Sequence, residues 1–157
     1  ARILAVDPNP ARREMARAFG ATDLLDPKAT NDVPAAVREL LGEGGAGSSV
    51  ECTGLPEVAA QAAACLAPRG VCAIVGAAPA DAAYTFPAMP LLVQGWTIRG
   101  VIEGESRPAE FLPRLIALHG QGRVPFDRMI RRYPFAEINE AMAASARGEA
   151  VKPVLVM

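Results

Sequence analysis

The residues best placed to do chemistry are small and acidic residues at the ends of apolar runs. Ile3-Leu4-Ala5-Val6-Asp7 carries four apolar residues directly into one carboxylate. An unbroken apolar run of this kind predicts a strand of a parallel sheet, buried on both faces. Open α/β sheets bind ligands beyond the carboxyl ends of their strands, so Asp7 stands where a ligand would lie. A carboxylate at that place can accept hydrogen bonds from the hydroxyls of an adenosine ribose. The following Pro8-Asn9-Pro10 is also ordinary turn chemistry, and the run alone leaves both readings open. Two more runs end in the same manner, Ser48 to Cys52 before Thr53-Gly54, and Val71 to Val75 before Gly76. Glycine at a strand end lets a backbone or a ligand approach closely.

Other residues carry weaker signals. Gly42-Glu43-Gly44-Gly45-Ala46-Gly47 has a glycine pattern, but it follows a predicted helix and precedes a predicted strand. A phosphate loop needs the reverse order, so that helix amides face the anion. The run therefore reads as a linker. Cys52, Cys65 and Cys72 are odd in number and widely spaced, which indicates neither a disulfide framework nor a zinc cluster. His119 reads as a helix-end residue facing the dipole, Trp96 as a packing or interface aromatic, and Pro125-Phe126-Asp127 as a loop anchor. Glu51 reads as an ordinary strand carboxylate in preference to a polar cleft residue.

These residues need a scaffold, and the pattern supplies one. Asn9 and Pro10 open a helix that Gly20 closes. Ala21 to Leu25 is a second strand, and Asn31 or Asp32 caps a helix carrying Val33, Val37, Leu40 and Leu41. After the Ser48 strand, Pro56 begins a helix to about Leu66, and Pro68-Arg69-Gly70 turns into the Val71 strand. A short helix from Pro90 to Gln94 leads to Thr97–Ile102, whose alternation predicts a half-exposed strand. Beyond Glu103 come a helix ending near Gly120, an extended Arg131 to Phe135, a helix from Ala136 to Arg147 with Ile138, Ala141, Met142 and Ser145 on one side, and a last strand from Val151. The alternation of strand and helix predicts an α/β fold, an incomplete Rossmann-type doubly wound parallel sheet over residues 1–103, followed by a C-terminal α+β segment over 104–157.

With 157 residues, 51% hydrophobic and 21% charged, and a net charge of −1, the chain has the composition of an ordinary globular domain. No basic stripe points to nucleic acid, and no long apolar run points to a membrane span. Cysteine usage gives a cytoplasmic expectation. The chain opens in mid-strand without Met, so it is expected to begin inside a larger protein.

Taken together, Ala1 to Asp7, Phe19-Gly20-Ala21-Thr22, Val50-Glu51-Cys52-Thr53-Gly54, Ile74-Val75-Gly76, Ile138-Asn139-Glu140-Ala141 and Lys152-Pro153-Val154-Leu155 resemble the medium-chain, zinc-dependent alcohol dehydrogenases. Gly100 to Ser106, Pro108, Phe111-Leu112-Pro113 and Gly122 to Asp127 resemble the aryl-alcohol, or benzyl alcohol, branch. The resemblance implies NAD as coenzyme, with Asp7 on the adenosine ribose and repelling a 2′-phosphate, and Arg12 near the same ribose. It implies Thr53 and Gly54 on the adenine side, the strand ends at Val75, Gly76, Val101 and Glu103 toward the nicotinamide, and Lys152 on the pyrophosphate. Arg12 also reads as a solvated helix charge and Thr53 as a helix cap. The resemblance further implies a small-molecule alcohol or aldehyde as substrate and pairing of Thr97–Ile102 with a second copy.

By the same resemblance, the first strand, the glycine loop and the zinc ligands would precede Ala1. No catalytic or metal-ligating residue is then expected in this chain, and alone it should be inactive. A zinc-free medium-chain reductase shares the same coenzyme domain. A methyltransferase-like module, which should finish in an antiparallel hairpin, and a non-catalytic nucleotide-binding fragment are the other readings.

Overall fold

The structure is a computed structural model, and it describes residues 1–42 and 44–157. Glu43 of the glycine-rich linker lies outside the described residues. Strands β1 (Leu4–Val6), β2 (Asp23–Leu25), β3 (Ala46–Glu51), β4 (Leu66–Ile74) and β5 (Thr97–Gly100) alternate with helices α1 (Pro10–Ala18), α2 (Val33–Leu41), α3 (Pro56–Ala64) and α4 (Ala88–Gln94). Helix α5 (Pro108–Gly120), β6 (Ile130–Pro134), α6 (Ile138–Ala146) and β7 (Lys152–Val156) complete the chain.

Every strand pairing is parallel, as the βαβ alternation requires. The hydrogen-bonded ladders fall into three groups, β1-β2, β3-β4-β5 and β6-β7. The one continuous sheet edge expected for Asp7, Gly54 and Gly76 is thus divided between two ladders. Among the described residues, strand β1 has a partner on one side only, and so has β3. That changes the expected burial of the opening strand. Ile3 is 55% exposed and Val6 44%, because no second neighbour covers them. The C-terminal strands β6 and β7 pair directly and in parallel, with α6 as the connection between them and Ile130 opposite Lys152. The antiparallel hairpin of a methyltransferase-like module is not found among the described residues.

Local chemistry sets the helix starts. Asn9 Oδ1 accepts from the amides of Ala11 at 2.9 Å and Arg12 at 3.3 Å, with Pro10 in the first turn. Asp32, not Asn31, caps α2 by accepting from Ala35 N at 2.9 Å. Helix α3 lies closely on β3 and β4 because its buried face is alanine: Ala59 and Ala63 are fully buried there. Val37, Cys65, Leu66 and Cys72 complete this core. Arg38 donates to the Ala64 carbonyl at 2.9 Å and so joins α2 to the end of α3. Trp96 is half-buried beside Arg38, Leu66, Pro68 and Gln94, as a packing aromatic.

A second small core forms from Tyr133, Ala141, Ala144 and Ala150. The expected face of α6 is corrected here: Ala141 and Ala144 are inside, while Met142 is 67% exposed. The two alanines stand three apart and face Tyr133, which turns Met142 outward. On α5, His119 Nδ1 lies 2.9 Å from the Val124 carbonyl, and its ring packs against Phe126 at a tilt of 32°, with centroids 4.3 Å apart. Phe126 therefore anchors the loop after α5. No helix is long and apolar enough to cross a membrane among the described residues.

The double acceptance by Asn9 gives the first prediction. Asn9→Ala should lower unfolding stability by about 1 kcal/mol in urea titration, with the slope unchanged.

Candidate functional site

The densest polar arrangement lies where β3 and β4 end. Glu51, the last residue of β3, is only 2% exposed. Its carbonyl accepts from the amides of Val75 at 2.9 Å and Gly76 at 3.0 Å, which fixes the end of β4 against β3. Its carboxylate turns the other way, into the loop before α3. There it accepts from the Thr53 amide, the Thr53 hydroxyl and the Gly54 amide. Both carboxylate oxygens lie 3.2 Å from Gly54 N. A buried carboxylate is tolerated only with donors of this number. Thr53 is therefore not the cap of α3. Its hydroxyl donates to Glu51 and accepts from the Leu55 amide at 3.1 Å, and Leu55 precedes Pro56 at the helix start.

Gly54 and Gly76 meet at this place. A Cβ on Gly76 would stand 2.1 Å from Gly54 N, and one on Gly54 would stand 2.3 Å from the Ala77 carbonyl oxygen. Gly54 also has φ of 74°. Side chains are excluded at both positions, because neighbouring backbone occupies the space a Cβ would take. Cys52 is exposed nearby, and desolvation followed by the Glu51 charge raises its pKa. Burial pushes the Cys65 thiol up to about 11 and raises Cys72 as well. The three cysteines are thiols at neutral pH.

A second group gathers at the end of β1. Asp7 is half-buried, and its Oδ1 accepts from Asn9 N at 2.7 Å. Arg13 holds the backbone beneath it, donating to the Asp7 carbonyl at 2.6 Å while pairing with Asp26 at 3.1 Å. One guanidinium thus joins the ends of β1 and β2. The C-terminal segment reaches this turn: Asn9 Nδ2 donates to the Gly148 carbonyl at 3.5 Å. Gly148 has φ of 75°, and a Cβ there would stand 2.8 Å from Asn9 Nδ2 and 3.7 Å from an Arg12 nitrogen. Arg12 is otherwise exposed.

The remaining expected positions are placed as follows. Val101 N donates to the Ile74 carbonyl at 2.9 Å, carrying β5 along the end of β4. Glu103 is exposed at φ of 50° in a short 3-10 turn, and its carbonyl accepts from the Ser106 hydroxyl at 3.1 Å. Lys152 is exposed at the start of β7 and makes no hydrogen bond or ion pair with the other site residues among the described residues. The structure thus brings Thr53, Gly54, Val75 and Gly76 together and sets Val101 beside them, while Asp7 and Arg12 each bond to Asn9 and not to one another among the described residues. Sequence reasoning missed the roles of Glu51, Arg13 and Gly148. The signal for Glu51 was a carboxylate two residues before Thr-Gly. Arg13 gave no signal, because its partners come from separate strands.

Residues 1–118 match the family model described as zinc-binding dehydrogenase. The chain belongs to the zinc-binding dehydrogenase family. It is 44% identical over 155 residues to geraniol dehydrogenase of Castellaniella defragrans, covering 99% of this chain and 41% of that protein. It is 36% identical to alcohol dehydrogenase 1 of Zea mays, with the same coverage. Its fold superposes on benzyl alcohol dehydrogenase of Acinetobacter calcoaceticus with TM-score 0.94 and 38% identity, covering 99% of this chain and 42% of that one. An alcohol dehydrogenase zinc-binding domain protein of Burkholderia ambifaria superposes at TM-score 0.95 with 42% identity, covering 100% and 42%. This zinc-binding dehydrogenase chain therefore spans about two fifths of the length of the curated relatives it matches. No group of three or more His, Cys, Asp or Glu is gathered to hold a metal ion among the described residues.

The close glycine contact can be probed directly. Gly76→Ala should cost about 1–3 kcal/mol of stability by overpacking against Gly54, read as a lower midpoint in urea.

Proposed function

We propose that this chain is the coenzyme-binding portion of a zinc-dependent alcohol dehydrogenase that oxidises a primary, aromatic alcohol to an aldehyde with NAD. The observation that carries the reading is Asp7. It stands at the end of β1 with Oδ1 held by Asn9 N, and no protein donor engages Oδ2 among the described residues. A carboxylate so fixed suits the two hydroxyls of an adenosine ribose and opposes a 2′-phosphate. When bound, NAD accepts the hydride and zinc acts as the Lewis acid, the zinc being held by residues outside this chain.

In this reading each residue binds or orients. Asp7 takes the ribose hydroxyls, and Arg13 holds its backbone in place. Arg12 lies near the same ribose. Thr53 and Gly54 line the adenine side, while the strand ends at Val75, Gly76, Val101 and Glu103 face the nicotinamide. Lys152 serves the pyrophosphate as a point charge. Residues 1–103 form the coenzyme domain and 104–157 rejoin a catalytic domain. The Thr97–Ile102 segment, of which Thr97–Gly100 is strand β5, pairs with a second copy. The likeness to geraniol dehydrogenase favours a second reading, in which the alcohol is geraniol.

The full-length protein that carries this chain should reduce NAD with benzyl alcohol, followed at 340 nm, and lose that activity on zinc chelation. The 157-residue chain alone should show no turnover. Turnover by the chain alone, or none by the full-length protein with either alcohol, overturns the reading. In the full-length protein, Asp7→Gly should raise the NADP-to-NAD ratio of kcat/KM by about tenfold or more. An unchanged ratio counts against the ribose role.

A further inference from the structure

We propose that Glu51 is a positioning residue for the dinucleotide, acting through Thr53 and Gly54. The inference rests on the coenzyme reading above and concerns how the Thr53-Gly54 loop is held in shape. Nearly all of the carboxylate's hydrogen bonding is directed into one loop: the Thr53 amide, the Thr53 hydroxyl and the Gly54 amide all donate to it. No donor from the helices of the core joins them among the described residues. A strand that needed only packing would end in an apolar side chain, since burying a charge is unfavourable without compensation. The side chain therefore sets the conformation of the Thr53-Gly54 loop. Glu51 is buried, whereas Thr53 is exposed, so the carboxylate works from beneath the loop without touching a ligand.

The same residue's carbonyl fixes Val75 and Gly76 from the other side. Both walls of the glycine contact thus depend on one residue. Three of the carboxylate's contacts fall on Oε1, and Gly54 N also faces Oε2. In Glu51→Gln the amide oxygen can replace Oε1, but the charge that strengthens those bonds is lost and an NH2 group stands against the Gly54 amide at the Oε2 position, which lets the loop rearrange.

The test uses the full-length protein. NADH affinity is measured by fluorescence titration, stability by thermal melting, and steady-state kinetics with benzyl alcohol are run alongside. Glu51→Gln should weaken NADH about tenfold and raise the KM for NAD similarly, with kcat and the alcohol KM within about twofold of the unsubstituted protein. A merely structural role would lower the melting temperature and leave the NADH Kd of the folded protein unmoved, and that outcome overturns the proposal. Should Glu51→Gln fail to fold, Glu51→Asp keeps the charge and shortens its reach to the Thr53-Gly54 loop. It should weaken NADH by about threefold, and an unchanged Kd overturns the proposal. If the unsubstituted protein binds no NADH, the coenzyme reading falls first and this inference falls with it.

Discussion

Two glycine backbones, at Gly54 and Gly76, lie closer than any side chain would allow, and one buried glutamate holds both. That contact is the constraint on which the centre of the molecule depends. It brings the ends of β3 and β4 level, which sets where α3 begins. The start of α3 in turn places its alanine face on the two strands. The polar work of Glu51 and the apolar work of Ala59 and Ala63 are therefore complementary. The glutamate fixes the strand ends, and the alanines fill the space beneath the helix that follows.

A second device of the same type operates at the end of β1. Arg13 joins the Asp7 carbonyl to the Asp26 carboxylate and levels β1 with β2. The guanidinium suits this task because its planar fork can satisfy two acceptors at once. Each strand pair thus has its own clamp, one acidic and buried, one basic and half-buried. The two pairs are separate ladders, with one edge of β1 and one edge of β3 lacking partners among the described residues. Apolar residues stand open along these strands and on α5, such as Val50 at 65% and Ile116 at 65% exposure.

Much of this was legible in the residues. The order of strands and helices follows from apolar periodicity and from caps such as Asn9 and Asp32, whose signals lie within a few residues of the structure they direct. The glycine positions at 54 and 76 were legible as places where a backbone comes close. The burial of β1 was not, because an apolar run reports what a strand could bury and not what lies beside it. The inward face of α6 was misread for a similar reason. Several apolar stripes were available, and only the position of Tyr133 selected Ala141 and Ala144 over Met142.

The sequence by itself determined the α/β alternation, the parallel pairing that short βαβ connections enforce, and the family, because these rest on local pattern and on ordered motifs. Tertiary structure alone decided that Glu51 is a buried clamp and not a surface carboxylate, that Arg13 bridges two strand ends, and that Gly148 seats against Asn9. Each of those contacts joins residues whose partners depend on how strands are levelled in space. A carboxylate, a guanidinium or a glycine carries no mark in the chain of which distant atoms it will meet. Solvation and packing choose the partner only once the backbone has closed around it.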